Sequence, residues 1–174
     1  MKDAILEKGE SWYTNMADVF RALDGEPAMY NWLITDYETL PLPNEKCGVT
    51  AGSNYCWMTG VELTEFVMQN RQMQWVWAVL SGVKRTIGLD EVLKFPLPYA
   101  DGYPGFWKNP VTMQHPLAEV EVTAWDSACT MIISRNEKMV DDFMAAYPLS
   151  RTLTEYNSPG GENEYVKWWL SDHR

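Results

Sequence analysis

The sequence predicts an α+β fold, a mostly antiparallel sheet of five or six strands with about five helices packed on it. Two observations carry this. Helix-period and strand-length segments alternate irregularly along the chain, which suits segregated layers better than a regular α/β alternation. Residues 117–134 also read as two strands joined by a tight Asp126-Ser127 turn, the mark of a hairpin. A third observation bounds the size. The chain has 174 residues with no repeat, low-complexity run or linker, so residues 1–174 are expected to form a single globular domain.

The elements follow in order. Met16, Val19, Phe20 and Leu23 fall at helical spacing and predict a helix from about Trp12 to Leu23, stopped by Gly25 and Pro27. Met29 to Tyr37 reads as a strand, and the polar stretch from Pro41 to Asn54, broken by Gly48 and Gly52, reads as a turn region. Tyr55 to Met58 is a short strand. Thr59-Gly60-Val61-Glu62 then has the form of a capping box, opening a helix that presents Leu63, Phe66 and Val67 and ends near Asn70. Gln72 to Leu80, rich in Trp and Val, is a strand with Trp75 and Trp77 expected on one face. Leu89 to Leu93 is read as a short helix.

Residues 95–116 hold five prolines, two glycines and five aromatics, which suits neither a continuous helix nor a central strand. A loop of this length is often functional, and its aromatics should pin it down. Leu117 to Trp125 alternates, with Val120, Val122 and Ala124 on one face and Glu119, Glu121 and Thr123 on a face expected to be wet. Ala128 to Ser134 is the return strand. Ser134 or Asn136 caps a helix that buries Met139, Val140, Phe143 and Met144 and ends at Pro148. Arg151 to Tyr156 is expected as an edge strand. Ser158-Pro159-Gly160-Gly161 reads as a turn, and Glu162 to Leu170 as a last amphipathic helix burying Tyr165, Trp168 and Trp169.

Composition narrows the function. Lys plus Arg is 14 and Asp plus Glu is 24, a net charge of −10. Such a surface disfavours tracking nucleic-acid phosphates or an anionic membrane. Hydrophobic residues at 46% and aromatics at 13% exclude a disordered chain. The start is charged with no apolar signal-peptide core, and no window reaches membrane-spanning length, so a cytoplasmic location is expected. Cys47, Cys56 and Cys129 lack metal or disulfide spacing and are expected as reduced thiols, with Cys56 and Cys129 in the core.

Catalytic signatures are sparse. The sequence carries no nucleophile elbow, P-loop or dinucleotide glycine fingerprint. Of two histidines, only His115 could serve a Ser–His or Cys–His catalyst, and a surface-loop position is its simpler reading. Asp126-Ser127 is turn chemistry, and Asp141-Asp142 lies on the solvated side of its helix. No metal or other cofactor is expected.

What remains is a surface. Tyr30-Asn31-Trp32-Leu33, then Trp57-Met58-Thr59-Gly60-Val61-Glu62-Leu63, the Trp-rich strand, the Asp126 hairpin and the helix ending Phe143-Met144 resemble in character the small acidic bacterial immunity proteins of polymorphic and contact-dependent toxin systems. The resemblance implies a non-catalytic protein that binds a cognate toxin domain, often a basic one. The expected contact set is Asp36, Glu38, Trp57, Asp101, Tyr103 and Trp107, joining carboxylates to aromatic anchors. Two other readings compete. One is a small enzyme or carbohydrate-binding module that uses a carboxylate with Trp stacking, built on some of the nine tryptophans. The other is a homo-oligomer that buries its exposed aromatics.

Overall fold

A computed structural model describes residues 1–40 and 54–159. Cys47, most of the expected turn region from Pro41, the second half of the 158–161 turn and the expected last helix lie outside these residues. The described chain forms one six-stranded sheet in the order β1-β6-β5-β4-β2-β3, every neighbouring pair antiparallel. The strands are β1 (Lys2–Leu6), β2 (Tyr30–Leu40), β3 (Tyr55–Thr59), β4 (Gln74–Lys84), β5 (Ala118–Trp125) and β6 (Cys129–Ser134). The helices are α1 (Met16–Ala22), α2 (Gly60–Gln69), α3 (Leu89–Val92), α4 (Glu137–Ala146) and α5 (Leu153–Tyr156). Among the described residues no helix is long and apolar enough to cross a membrane.

Alternation along the strands sends side chains to two faces. On one face α1, α2 and α4 bury Trp32, Ile34, Leu80, Val120, Val122 and Ile132 beneath Phe20, Leu63 and Phe143. The capping box forms as expected. Thr59 Oγ1 accepts from the Glu62 amide at 3.3 Å, and Glu62 accepts in return from the Thr59 amide at 2.8 Å. Gly60, the first residue of α2, lies against backbone: a Cβ there would stand 2.1 Å from the Pro27 carbonyl oxygen. No side chain fits in that gap, so this helix and the short 3-10 turn at Glu26–Met29 meet main chain to main chain.

The other face is covered by the long loop. Phe106, Trp107 and Val111 pack with Leu153 and Tyr156 of α5 over Val79, Met131 and Ile133. A smaller cluster joins Leu33, Val83 and Val92. Edge-on ring contacts bind the covering layer together: Tyr99–Tyr103 at 5.2 Å, Tyr103–Phe106 at 4.8 Å, Phe106–Trp107 at 6.4 Å and Trp107–Trp125 at 5.1 Å. The expected pinning by aromatics is met, and it has a consequence for β5. Its second face is not wet, because Glu121 and Thr123 are buried under the loop.

Three further expectations change, and one strand is new. Asn15 caps α1 by accepting from the Ala17 and Asp18 amides, so the helix starts at Met16 rather than Trp12. The charged start becomes strand β1, because β6 offers it an unpaired edge along Lys2–Leu6. Arg151 makes only a single bridge to Ile5. Thr152 then accepts from the Glu155 amide and starts a helix turn where an edge strand was expected. Finally, Trp75 and Trp77 point to opposite faces. The β2–β4 register shifts twice, between Thr35 and Glu38 with an extra residue on β2, and between Glu38 and Thr39 with an extra residue on β4, so Trp75 joins the helix-covered core while Trp77 packs with the loop-covered one. The hairpin tip marks the same place, with the Ser127 amide donating to the Val76 carbonyl at 3.0 Å.

Candidate functional site

The first register shift builds the site. Asp36 takes a left-handed φ of +47°, and the extra residue turns it out of the sheet. Its Oδ2 accepts from the amides of Ala100 and Asp101 at 2.6 and 2.9 Å. One carboxylate thus fastens the long loop onto the bulge of β2, 64 residues away in sequence. Asp36, Tyr37, Glu38, Asn54, Trp77 and Asp101 then line an open cleft of about 520 Å³. Asp36, Glu38 and Asp101 are exposed, and none of them pairs with a cation among the described residues. Trp77 forms an aromatic wall, held edge-on by Trp125 at 5.3 Å.

Three of the six expected contact residues therefore meet here: Asp36, Glu38 and Asp101. The other three are elsewhere. Trp57 is half-buried on edge strand β3 against the Leu33–Val83–Val92 cluster. Tyr103 is half-buried, wedged between Tyr99 and Phe106. Trp107 is 7% exposed and is a core residue, which removes it as a surface anchor. The tryptophan that does line the cleft, Trp77, lies outside the expected contact set, in the Trp- and Val-rich strand. Its apolar run is continuous from Trp75 to Leu80, so the change of face leaves no mark in the hydrophobic pattern.

The groups that could have formed a catalytic relay are committed elsewhere. His115 is 1% exposed, not a surface-loop residue. Its Nδ1 accepts from the Leu117 amide at 3.2 Å, so Nε2 carries the proton and donates to the Val92 carbonyl at 3.1 Å. Burial lowers its pKa and the Val92 bond partly offsets this. Glu121 is also 1% exposed. Its Oε1 accepts from Ser81 Oγ at 3.1 Å and the His115 amide at 2.8 Å, and its Oε2 accepts from the Gln114 amide at 2.8 Å. Burial pushes its pKa up to about 7, against the lowering by these three donors. Ser81, His115 and Glu121 are thus neighbours, but the imidazole nitrogens face neither the serine nor the carboxylate. Buried Cys129 has a thiol pushed well above its ordinary range by desolvation, which keeps it unreactive.

A second cleft of about 410 Å³ lies between α1 and α4, lined by Glu10, Trp12, Asp18, Arg21 and Tyr147 among others. Its charges are partly self-paired, since Arg21 holds Asp18. Among the described residues no group of three or more His, Cys, Asp and Glu side chains is placed to hold a metal ion. No family model, curated protein or solved structure matches the chain.

Proposed function

We propose that this chain is a non-catalytic binding protein that captures a basic protein surface at the Asp36–Glu38–Asp101 cleft, most specifically an immunity protein that neutralises a toxin domain by covering its active site. The observation that carries the reading is the convergence of three exposed carboxylates from two distant segments on one cleft, with no cation beside them among the described residues. Carboxylates with no cation partner among the described residues, within a protein of net charge −10, draw in a basic partner and speed its encounter. Trp77 adds an aromatic face over which an Arg or Lys side chain could lie.

The test is capture from native host lysate at low and at moderate salt, comparing the wild type with a Glu38→Gln, Asp101→Asn variant. These changes leave the Asp36 bonds to the loop in place. A single basic protein retained by the wild type at both salts, and lost by the variant at an unchanged unfolding midpoint, supports the reading. Equal capture by the variant removes the cleft from it. Trp77 flanked by acids also keeps the carbohydrate reading in view. Binding of a neutral oligosaccharide that Trp77→Ala abolishes and the charge variant spares would favour that alternative.

A further inference from the structure

A continuous chain of bonds links the buried Glu121 to the cleft. Glu121 Oε2 accepts from the Gln114 amide. The Gln114 side chain grips Tyr99 on both sides, accepting from its amide at 3.1 Å and donating to its carbonyl at 2.9 Å. The next two amides, Ala100 and Asp101, are the pair held by Asp36 at the cleft. Residues 99–114 are therefore a strap with one fastening inside the protein and one at the cleft wall.

The inner fastening is unusual chemically. Glu121 is buried, and among the described residues it has no cation partner, only an Oγ–H and two N–H dipoles. A charge held in this way is costly to bury, and the protonated acid costs less once the Ser81 hydroxyl turns to accept its O–H. Opening the strap would return the carboxylate to water. Among the described residues the groups that face it are few: Ser81 from β4, Gln114 at the end of the strap and His115 next to it, and Tyr103, whose phenol is raised by burial and then by the Glu121 charge. From β6 its register partner is Ile133, which does not titrate. The imidazole of His115 is neutral in this arrangement and adds no compensating charge.

We propose that Glu121 is a proton-responsive anchor: its charge state sets how firmly the 99–114 strap, and with it the Asp101 wall of the cleft, is held. The strap is tightest with Glu121 protonated and loosens as the proton leaves. With the folded value near 7, that loosening falls in the neutral range. The inference concerns the strap itself and does not depend on the binding reading.

Amide hydrogen exchange, corrected for the intrinsic effect of pH, tests it at Tyr99, Ala100, Asp101, Gln114 and His115. The expected result is that these amides exchange through an opening easier than that of the β6 amides. Their protection should fall about tenfold between about pH 6 and 8, and that fall should be absent in Glu121→Gln. Protection that does not change with pH, exchange only together with β6, or the same fall in Glu121→Gln would overturn the proposal. If Glu121→Gln does not fold, the wild-type Glu121 carboxyl carbon resonance decides. Titration near neutrality, with strap amides shifting in the same step, supports the anchor. Titration alongside the exposed acids, below about pH 5, refutes it.

Discussion

Replacing Gly60 by Ala should be among the most damaging single-methyl additions in this protein. The new Cβ would stand 2.1 Å from the Pro27 oxygen, 2.7 Å from the Tyr30 oxygen and 2.8 Å from the Ala28 Cα. All three atoms are main chain, so no side-chain rotation relieves the clash. Separating them means moving the 3-10 turn by roughly 1 Å relative to α2. The Pro27 oxygen also accepts from Trp32 Nε1 at 2.8 Å, and Trp32 is fully buried. Overpacking costs about 1–3 kcal/mol, and disturbing the buried indole bond about 1–3 kcal/mol more. Helix propensity returns at most about 1 kcal/mol. A net loss of about 1–6 kcal/mol follows, equivalent to a fall in Tm of roughly 2–24 °C for a chain of this size. Urea unfolding followed by tryptophan fluorescence measures it, with Gly88→Ala as control. A Cβ at Gly88 meets nothing within 4 Å, so that variant should stay within about 0.5 kcal/mol of the wild type. Gly60→Ala within the same margin would refute the close-contact argument.

Asp36 and Glu121 give two more expectations. Asp36→Asn keeps a side-chain acceptor and a residue type that tolerates a left-handed φ, so it should cost less than about 1 kcal/mol. Asp36→Ala loses both amide bonds and strains the bulge, and should cost about 2–3 kcal/mol in urea unfolding; equal effects would show that the carboxylate does not fasten the loop. For Glu121, folding raises the pKa from an ordinary 4.5 to about 7. The unfolded chain therefore loses this proton first, and the Glu121 contribution to stability declines as pH rises from about 4.5 to 7, by at most about 3 kcal/mol. Urea midpoints at about pH 5 and 8 should show this decline in the wild type and not in Glu121→Gln; the same slope in both would assign it to other groups.

Buried polar residues explain why the loop-covered face is sensitive in this way. Glu121 serves the same purpose there as apolar packing does on the helix-covered face: it holds a covering layer to the sheet. It does so through the backbone amides of Gln114 and His115. A loop with five prolines has fewer amides to offer and no regular ladder to place them in, so the sheet supplies the acceptors. Asp36 repeats the device at Ala100 and Asp101.

Local chemistry was legible in the residues themselves. The Thr59–Glu62 capping box, the α4 stripe of Met139, Val140 and Phe143, and the Asp126-Ser127 turn with its left-handed φ values of +48° and +56° all depend on interactions within a few residues. So does the prominence of Asp36, Glu38 and Asp101 as exposed acids. Partnership over long separations was decided only by the tertiary structure. Lys2–Leu6 is a strand because β6 has a free edge, and Arg151–Tyr156 is not, because Thr152 caps a turn after a single bridge. Glu121 reads as wet in a clean alternating pattern, yet a loop beginning some 25 residues earlier covers it. Trp77 reads as sharing a face with Trp75 in a continuous apolar run, yet a second register shift puts an extra β4 residue between them and turns Trp77 toward the cleft. Hydrogen bonds that close within one turn of chain leave a signature in neighbouring residues, whereas the face a strand exposes depends on whatever the rest of the chain lays over it.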